Sequence, residues 1–139
     1  MAWVVDTSVV LDLVSGDPQF EPASTLCLQS RMADGLVVCP VSFIELGPAF
    51  AGDALAAEAF LNGAGMEINA VWTIEDTILA HRLWNDFQVR RRQASVRKRP
   101  VADVMLAAFT ARFQGIITRN GSDFPGIAPA LAVIEPEIG

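Results

Sequence analysis

Five polar side chains stand where apolar runs stop. Asp6 ends the run Ala2-Trp3-Val4-Val5. Glu45 lies in "CPVSFIEL" and Asp103 in "RPVADVMLAAFTARF". Asn120 and Asp123 follow "GIIT" in "GIITRNGSDF", and hydroxyls accompany the set at Ser8 and Thr118. Carboxylate, amide and hydroxyl oxygens are the donors that Mg2+ or Mn2+ prefers. An ion held by such groups activates water and steadies a phosphoryl centre.

Each residue also has a plainer job open to it. Asp6 could be a helix N-cap. Ser42-x-x-Glu45 fits a capping box. Asp103 could answer a helix dipole, and Asn120 and Asp123 could be turn residues. Together they mean more. Four or five such groups at one edge would repel one another, and Arg119 is the one cation among the residues directly beside them. A divalent ion is then the natural partner. Asp12 reads as an ordinary helix residue.

Whether the groups meet depends on the elements that carry them. Apolar runs predict strands over 2–5, 36–40, 66–72, 115–118 and 131–136. Amphipathic stretches predict helices over 7–14, about 22–33, about 42–51, about 53–61, 73–88 and 100 to about 113. Ile74, Ile78, Leu79, Leu83 and Phe87 recur at helical spacing and mark one apolar face. Thr73 and Asp76 fit that helix's N-terminal cap. Strands alternating with helices predict an α/β fold, a mainly parallel sheet covered on both faces. No linker or repeat interrupts it, so one domain over 1–139 is expected. Ligands sit outside the carboxyl ends of such strands. Asp6, Thr118, Asn120 and Asp123 gather there if the first and fourth strands are neighbours. Asp103 joins them if its helix enters from that side.

The totals limit the function classes. A chain of 139 residues with 52% hydrophobic content can bury a core without staples. No run of about 18 apolar residues predicts a membrane span, and no basic-then-apolar leader opens the chain. A cytoplasmic protein is expected, with Cys27 and Cys39 as buried thiols rather than a disulfide. The net charge of −6 argues against nucleic acid until its distribution is considered. Arg90, Arg91, Arg92, Arg97, Lys98 and Arg99 are six of the ten cations, so four face all sixteen carboxylates elsewhere. Such a segment is either a solvated helix end or a landing strip for phosphates. Other chemistries lack their parts. His81 is the one histidine, placed on a helix surface, and no G-x-S-x-G elbow accompanies it. Zinc clusters and phosphate-binding glycine loops are missing too. A haloacid-dehalogenase phosphatase would want an aspartate where Ser8 stands.

With these pieces in order, the sequence resembles the PIN-domain family, and within it the VapC-type toxins of toxin–antitoxin pairs. The matching segments are "VVDTSVVLDL", "CPVSFIEL", "RPVADVMLAAFTARF" and "GIITRNGSDF", and their order and spacing cover essentially the whole chain. The resemblance implies a three-layer α/β/α sandwich with about five strands, and a Mg2+- or Mn2+-dependent endoribonuclease. It makes Asp6, Asp103 and Glu45 metal ligands, with Glu45 also orienting water. Asn120 or Asp123 would fill a fourth acidic position, and Ser8 and Thr118 would bond the carboxylates or the scissile phosphate. Asn120 departs from the acidic pattern, because an amide brings no charge. The implied partners are RNA, a small antitoxin protein and a second copy of the chain, with no membrane. "FIELGPAFAG" and the 53–61 segment offer apolar side chains for such contacts. The alternatives are a catalytically weak RNA- or protein-binding module, or a PIN nuclease that is not a toxin.

Overall fold

A computed structural model describes residues 1–94 and 100–137, with 91–94 as backbone alone. Five strands form one sheet: β1 Trp3–Val5, β2 Leu36–Val37, β3 Met66–Glu67, β4 Gly115–Ile117 and β5 Val133–Ile134. Their order is β3-β2-β1-β4-β5 and every pair is parallel. The helices are α1 Thr7–Ser15, α2 Glu21–Arg31, α3 Pro40–Glu45, α4 Ala54–Gly63, α5 Ile74–Ala94 and α6 Val101–Thr110. The α/β sandwich expected from the sequence is therefore the observed one.

The strands build two cores because alternate side chains point to opposite faces. Trp3, Val5, Leu36, Val38 and Ile117 join Val9, Val10, Leu28, Leu46 and Leu61 on one face. Val4, Val37, Cys39 and Ile116 join Phe87, Val104, Ala107, Phe109 and Phe124 on the other. Burial on both faces explains why these strands read as unbroken apolar runs.

Local chemistry sets the helix ends. The Asp6 carboxylate accepts the Thr7 N–H at 2.7 Å and starts α1. Gly16, at φ +62, ends it in the left-handed conformation that glycine adopts without steric cost. Asp53 caps α4 through the Ala56 N–H. Thr73 and Asp76 form the expected reciprocal cap: Thr73 N–H to Asp76 Oδ2 at 2.9 Å, Asp76 N–H to Thr73 Oγ1 at 3.2 Å.

Several boundaries differ from the sequence reading. Pro40 does not end a strand; it occupies the first turn of α3, where its missing N–H costs nothing. Ser42 therefore lies inside that helix and does not cap it, so the capping-box explanation of Glu45 falls away. The helix expected to about residue 51 stops at Glu45 and yields to a 3-10 turn over Gly47–Phe50, because Pro48 has no N–H for a longer α-helical ladder. The apolar face of α5 is also redistributed. Phe87 is buried and Leu83 packs on the core, whereas Ile74 and Ile78 are 65% and 62% exposed. Asp76 is turned inward, 3% exposed, because Arg112 meets it.

Connectivity fixes which way the last helices run. α6 feeds β4, so its end lies at the amino edge of the sheet and its start at the carboxyl edge. Arg112, just past α6, binds Asp76 in the first turn of α5. The two helices are thus antiparallel.

Candidate active site

β1 and β4 are hydrogen-bonded neighbours at the centre of the sheet, with Val5 opposite Ile117. The chain leaves β1 toward one edge and returns through β4 toward the other, which makes their carboxyl ends the switch point of the topology. Asp6 and Thr118 are the next residue on each strand. Asp6 N–H donates to the Ile117 carbonyl at 2.9 Å, and Thr118 N–H to Ile134 at 3.0 Å.

Asp6 is 8% exposed and tightly held. Its Oδ1 accepts Thr7 N–H, while its Oδ2 accepts Thr118 Oγ1 at 2.6 Å and Ser8 Oγ at 3.3 Å. A carboxylate offers about four acceptor sites, so these three bonds leave one, on Oδ1. Thr7 extends the group: its Oγ1 donates to Glu45 Oε1 at 2.9 Å. Asp6, Ser8, Thr118 and, through Thr7, Glu45 are thereby brought together. The sequence signal for Thr7 is its hydroxyl directly beside Asp6 in "VVDTS".

Glu45 is exposed at the end of α3. Asp103 is half-buried in the first turn of α6, at the carboxyl edge, as a helix entering from that side requires. Asn120 and Asp123 are exposed. Asn120 N–H donates to Thr118 Oγ1 at 3.0 Å, and Asp123 lies in the 3-10 turn Gly121–Asp123. The donors are oxygens, which suits a hard divalent cation. Among the described residues no three His, Cys, Asp or Glu side chains close into a ready-made ion cage. Mg2+ commonly uses one or two carboxylates, waters and substrate phosphate instead of such a cage, so the donor set fits it.

Asp12 is the clear correction. It is 2% exposed on α1, accepts Ser24 Oγ at 2.9 Å and pairs with Arg119, whose Nε lies 2.8 Å from Oδ2. The Arg119 guanidinium stacks on Phe20 at 3.9 Å. A lone carboxylate inside "VVLDLV" was the signal available, since a charge buried among apolar residues demands a partner.

Of the basic segment, Arg90 is described. It donates to the carbonyl oxygens of Gly126 and Ile127 and so ties α5 to the loop after β4. The side chains of Arg91 and Arg92, and all of Arg97, Lys98 and Arg99, lie outside the described residues. The thiols do not pair: Cys27 is half-buried, and Cys39 is buried. Burial first, then the charges of Asp76 and Glu45, push the Cys39 thiol up to about 11 against the backbone donors of Val41 and Ser42. A thiol so raised carries little of the thiolate that a nucleophile needs. No described helix is long and apolar enough to cross a membrane.

No family model and no curated protein matches the chain. Among solved structures, a chain in the crystal structure of VapBC2 from Rickettsia felis bound to a DNA fragment from their promoter shares the fold. It has 14% sequence identity and a TM-score of 0.72, and the match covers 99% of this chain and 100% of that one.

Proposed function

We propose that this chain is a Mg2+- or Mn2+-dependent endoribonuclease and the toxin of a toxin–antitoxin pair. One observation carries the reading: Asp6, at the β1/β4 switch point, is oriented by two hydroxyls and linked through Thr7 to Glu45. The whole-chain likeness to a VapBC2 chain supports it at the level of fold.

Asp6, Glu45 and Asp103 would supply the carboxylates, one or two of them directly and the rest through water, with Asn120 or Asp123 beside them. A cation so placed lowers the pKa of water and offsets charge on a phosphodiester. The chain's own groups do the positioning. Thr118 and Ser8 occupy Asp6 Oδ2, so Oδ1 would be the oxygen left for a cation. Thr7 holds Glu45 Oε1, so Oε2 would be the oxygen free to take a proton from an attacking water. The exposed Asn120 amide would donate to a phosphate oxygen. RNA backbone would approach over the basic segment, whose cations offset the repulsion between phosphate and an acidic cleft. A small antitoxin that fills the cleft would hold the enzyme inactive.

A catalytically weak binding module is the second reading, favoured by the uncharged Asn120. Cleavage of total RNA by the wild type and Asp6→Asn, with Mg2+, Mn2+ or EDTA, separates the two. The enzyme reading expects metal-stimulated cleavage that EDTA abolishes and that falls at least about 100-fold in Asp6→Asn, roughly 2.7 kcal/mol of barrier. Equal cleavage by a clean Asp6→Asn preparation would sink it.

A further inference from the structure

Asp12 raises a question that the ion site alone does not answer. Its carboxylate lies in the last turn of α1, where the helix dipole is negative and disfavours it. A buried ion pair adds little net stability over apolar packing. The consequence of the pair lies at its other end. Arg119 directly follows Thr118, and its backbone N–H donates to Ser8 Oγ at 3.2 Å. Ser8 Oγ donates in turn to Asp6 Oδ2. One residue further, Asn120 N–H donates to Thr118 Oγ1, which donates to the same oxygen at 2.6 Å. Each hydroxyl accepts a backbone N–H and so aims its own proton at Asp6. Both N–H groups belong to Arg119 and the residue after it. That side chain is clamped between Asp12 and the Phe20 ring, and Ser24, fully buried, bonds the same Asp12 oxygen.

We infer that Arg119, anchored by Asp12 and Phe20, is a positioning residue that holds the Ser8 and Thr118 hydroxyls on Asp6 Oδ2 and so presents Oδ1 to the cation. The inference rests on the reading of Asp6 as a ligand, but its first consequence is visible without metal. Groups that orient a ligand through hydrogen bonds change metal affinity by roughly 10- to 100-fold when removed.

The test compares the wild type with Asp12→Asn, which keeps the side-chain size and removes the charge. Amide exchange at Arg119 and Asn120 is followed by NMR in the metal-free chain, and Mn2+ binding by calorimetry. Exchange at both amides is expected to quicken at least tenfold, and the Mn2+ dissociation constant to rise about tenfold. Asp76→Asn, which breaks the ion pair at the opposite edge, controls for lost stability: it is expected to leave the Mn2+ affinity unchanged and to quicken exchange at these amides less than Asp12→Asn does. Exchange no faster than in Asp76→Asn overturns the inference. So does unchanged Mn2+ affinity where the wild type binds Mn2+ through Asp6. If the wild type shows no Asp6-dependent binding, the metal reading fails, and exchange alone decides the positioning. Should Asp12→Asn not fold, Arg119→Met, which keeps the packing on Phe20, is read at the Asn120 amide with the same outcomes.

Discussion

Two buried aspartates show how a neighbour decides what a carboxylate does. Asp6 and Asp76 both cap helices, yet they face different partners. Burial pushes the Asp76 carboxyl up, but the hydrogen bonds and charge of Arg112 and the Thr73 donors outweigh it and hold the pKa below the ordinary value of 3.8. Arg112 also bonds the Val71 carbonyl and lies over the Phe109 and Phe113 rings. A depressed carboxylate pKa adds stability above the unfolded-state value, and that stability is lost as pH falls through the folded-state value. The melting temperature of the wild type is therefore expected to exceed that of Asp76→Asn at neutral pH, and the two curves to converge as the pH drops below about 4. The gap at neutral pH is expected to be roughly 1–2 kcal/mol, less than a fully buried pair, because the Arg112 side chain is 37% exposed. Curves that stay parallel down to acid pH would refute this account of Asp76.

At the scale of elements, β4 is the strand on which the site depends, because it places Thr118 beside Asp6. Its first residue is Gly115, opposite Trp3 in the register. A Cβ there would stand 2.5 Å from the Ala132 carbonyl oxygen and 2.7 Å from Trp3 Cζ3. One of those neighbours is backbone and cannot swing aside. Gly115→Ala is therefore expected to destabilise the fold by about 1–3 kcal/mol, the usual cost of overpacking, in urea unfolding. Phe109 shows the opposite limit. It is fully buried, stacked on Trp72 at 6.4 Å and tilted on Phe113 at 5.1 Å. Phe109→Ala is expected to cost roughly 3–5 kcal/mol. A loss under 1 kcal/mol for either variant would mean that the covering of β4 is looser than its contacts require.

At the scale of the molecule, the charge is divided. An acidic body carries one basic segment, which begins in the last turns of α5 and ends just before α6 in the sequence, so the RNA proposal has a salt signature. For single strands the slope of log affinity against log salt changes by about 0.7 for each phosphate contact. Neutralising Arg91 and Lys98 to glutamine is expected to weaken RNA binding and flatten that slope by about 1.4. An unchanged slope would remove the segment from the RNA path. Arg90 is expected to contribute less, since its guanidinium already serves the Gly126 and Ile127 carbonyls.

Local pattern was enough to reveal the alternation of strands and helices, the two-sided burial of the sheet and the ordered set of oxygen donors. Those features repeat every two or every 3.6 residues, so they are written within short windows. The partners were not written that way. Thr118 meets Asp6 across 112 positions, and nothing near either residue says that β1 and β4 adjoin. The same holds for Asp12, whose spacing on α1 is unremarkable until Arg119 and Ser24 close over it. Ile74 and Ile78 fit the apolar face of α5 by period, yet they stay exposed while Asp76 turns inward to Arg112. Periodicity reports which residues can share a face; the packing of distant elements decides which face is covered and which charges are paired.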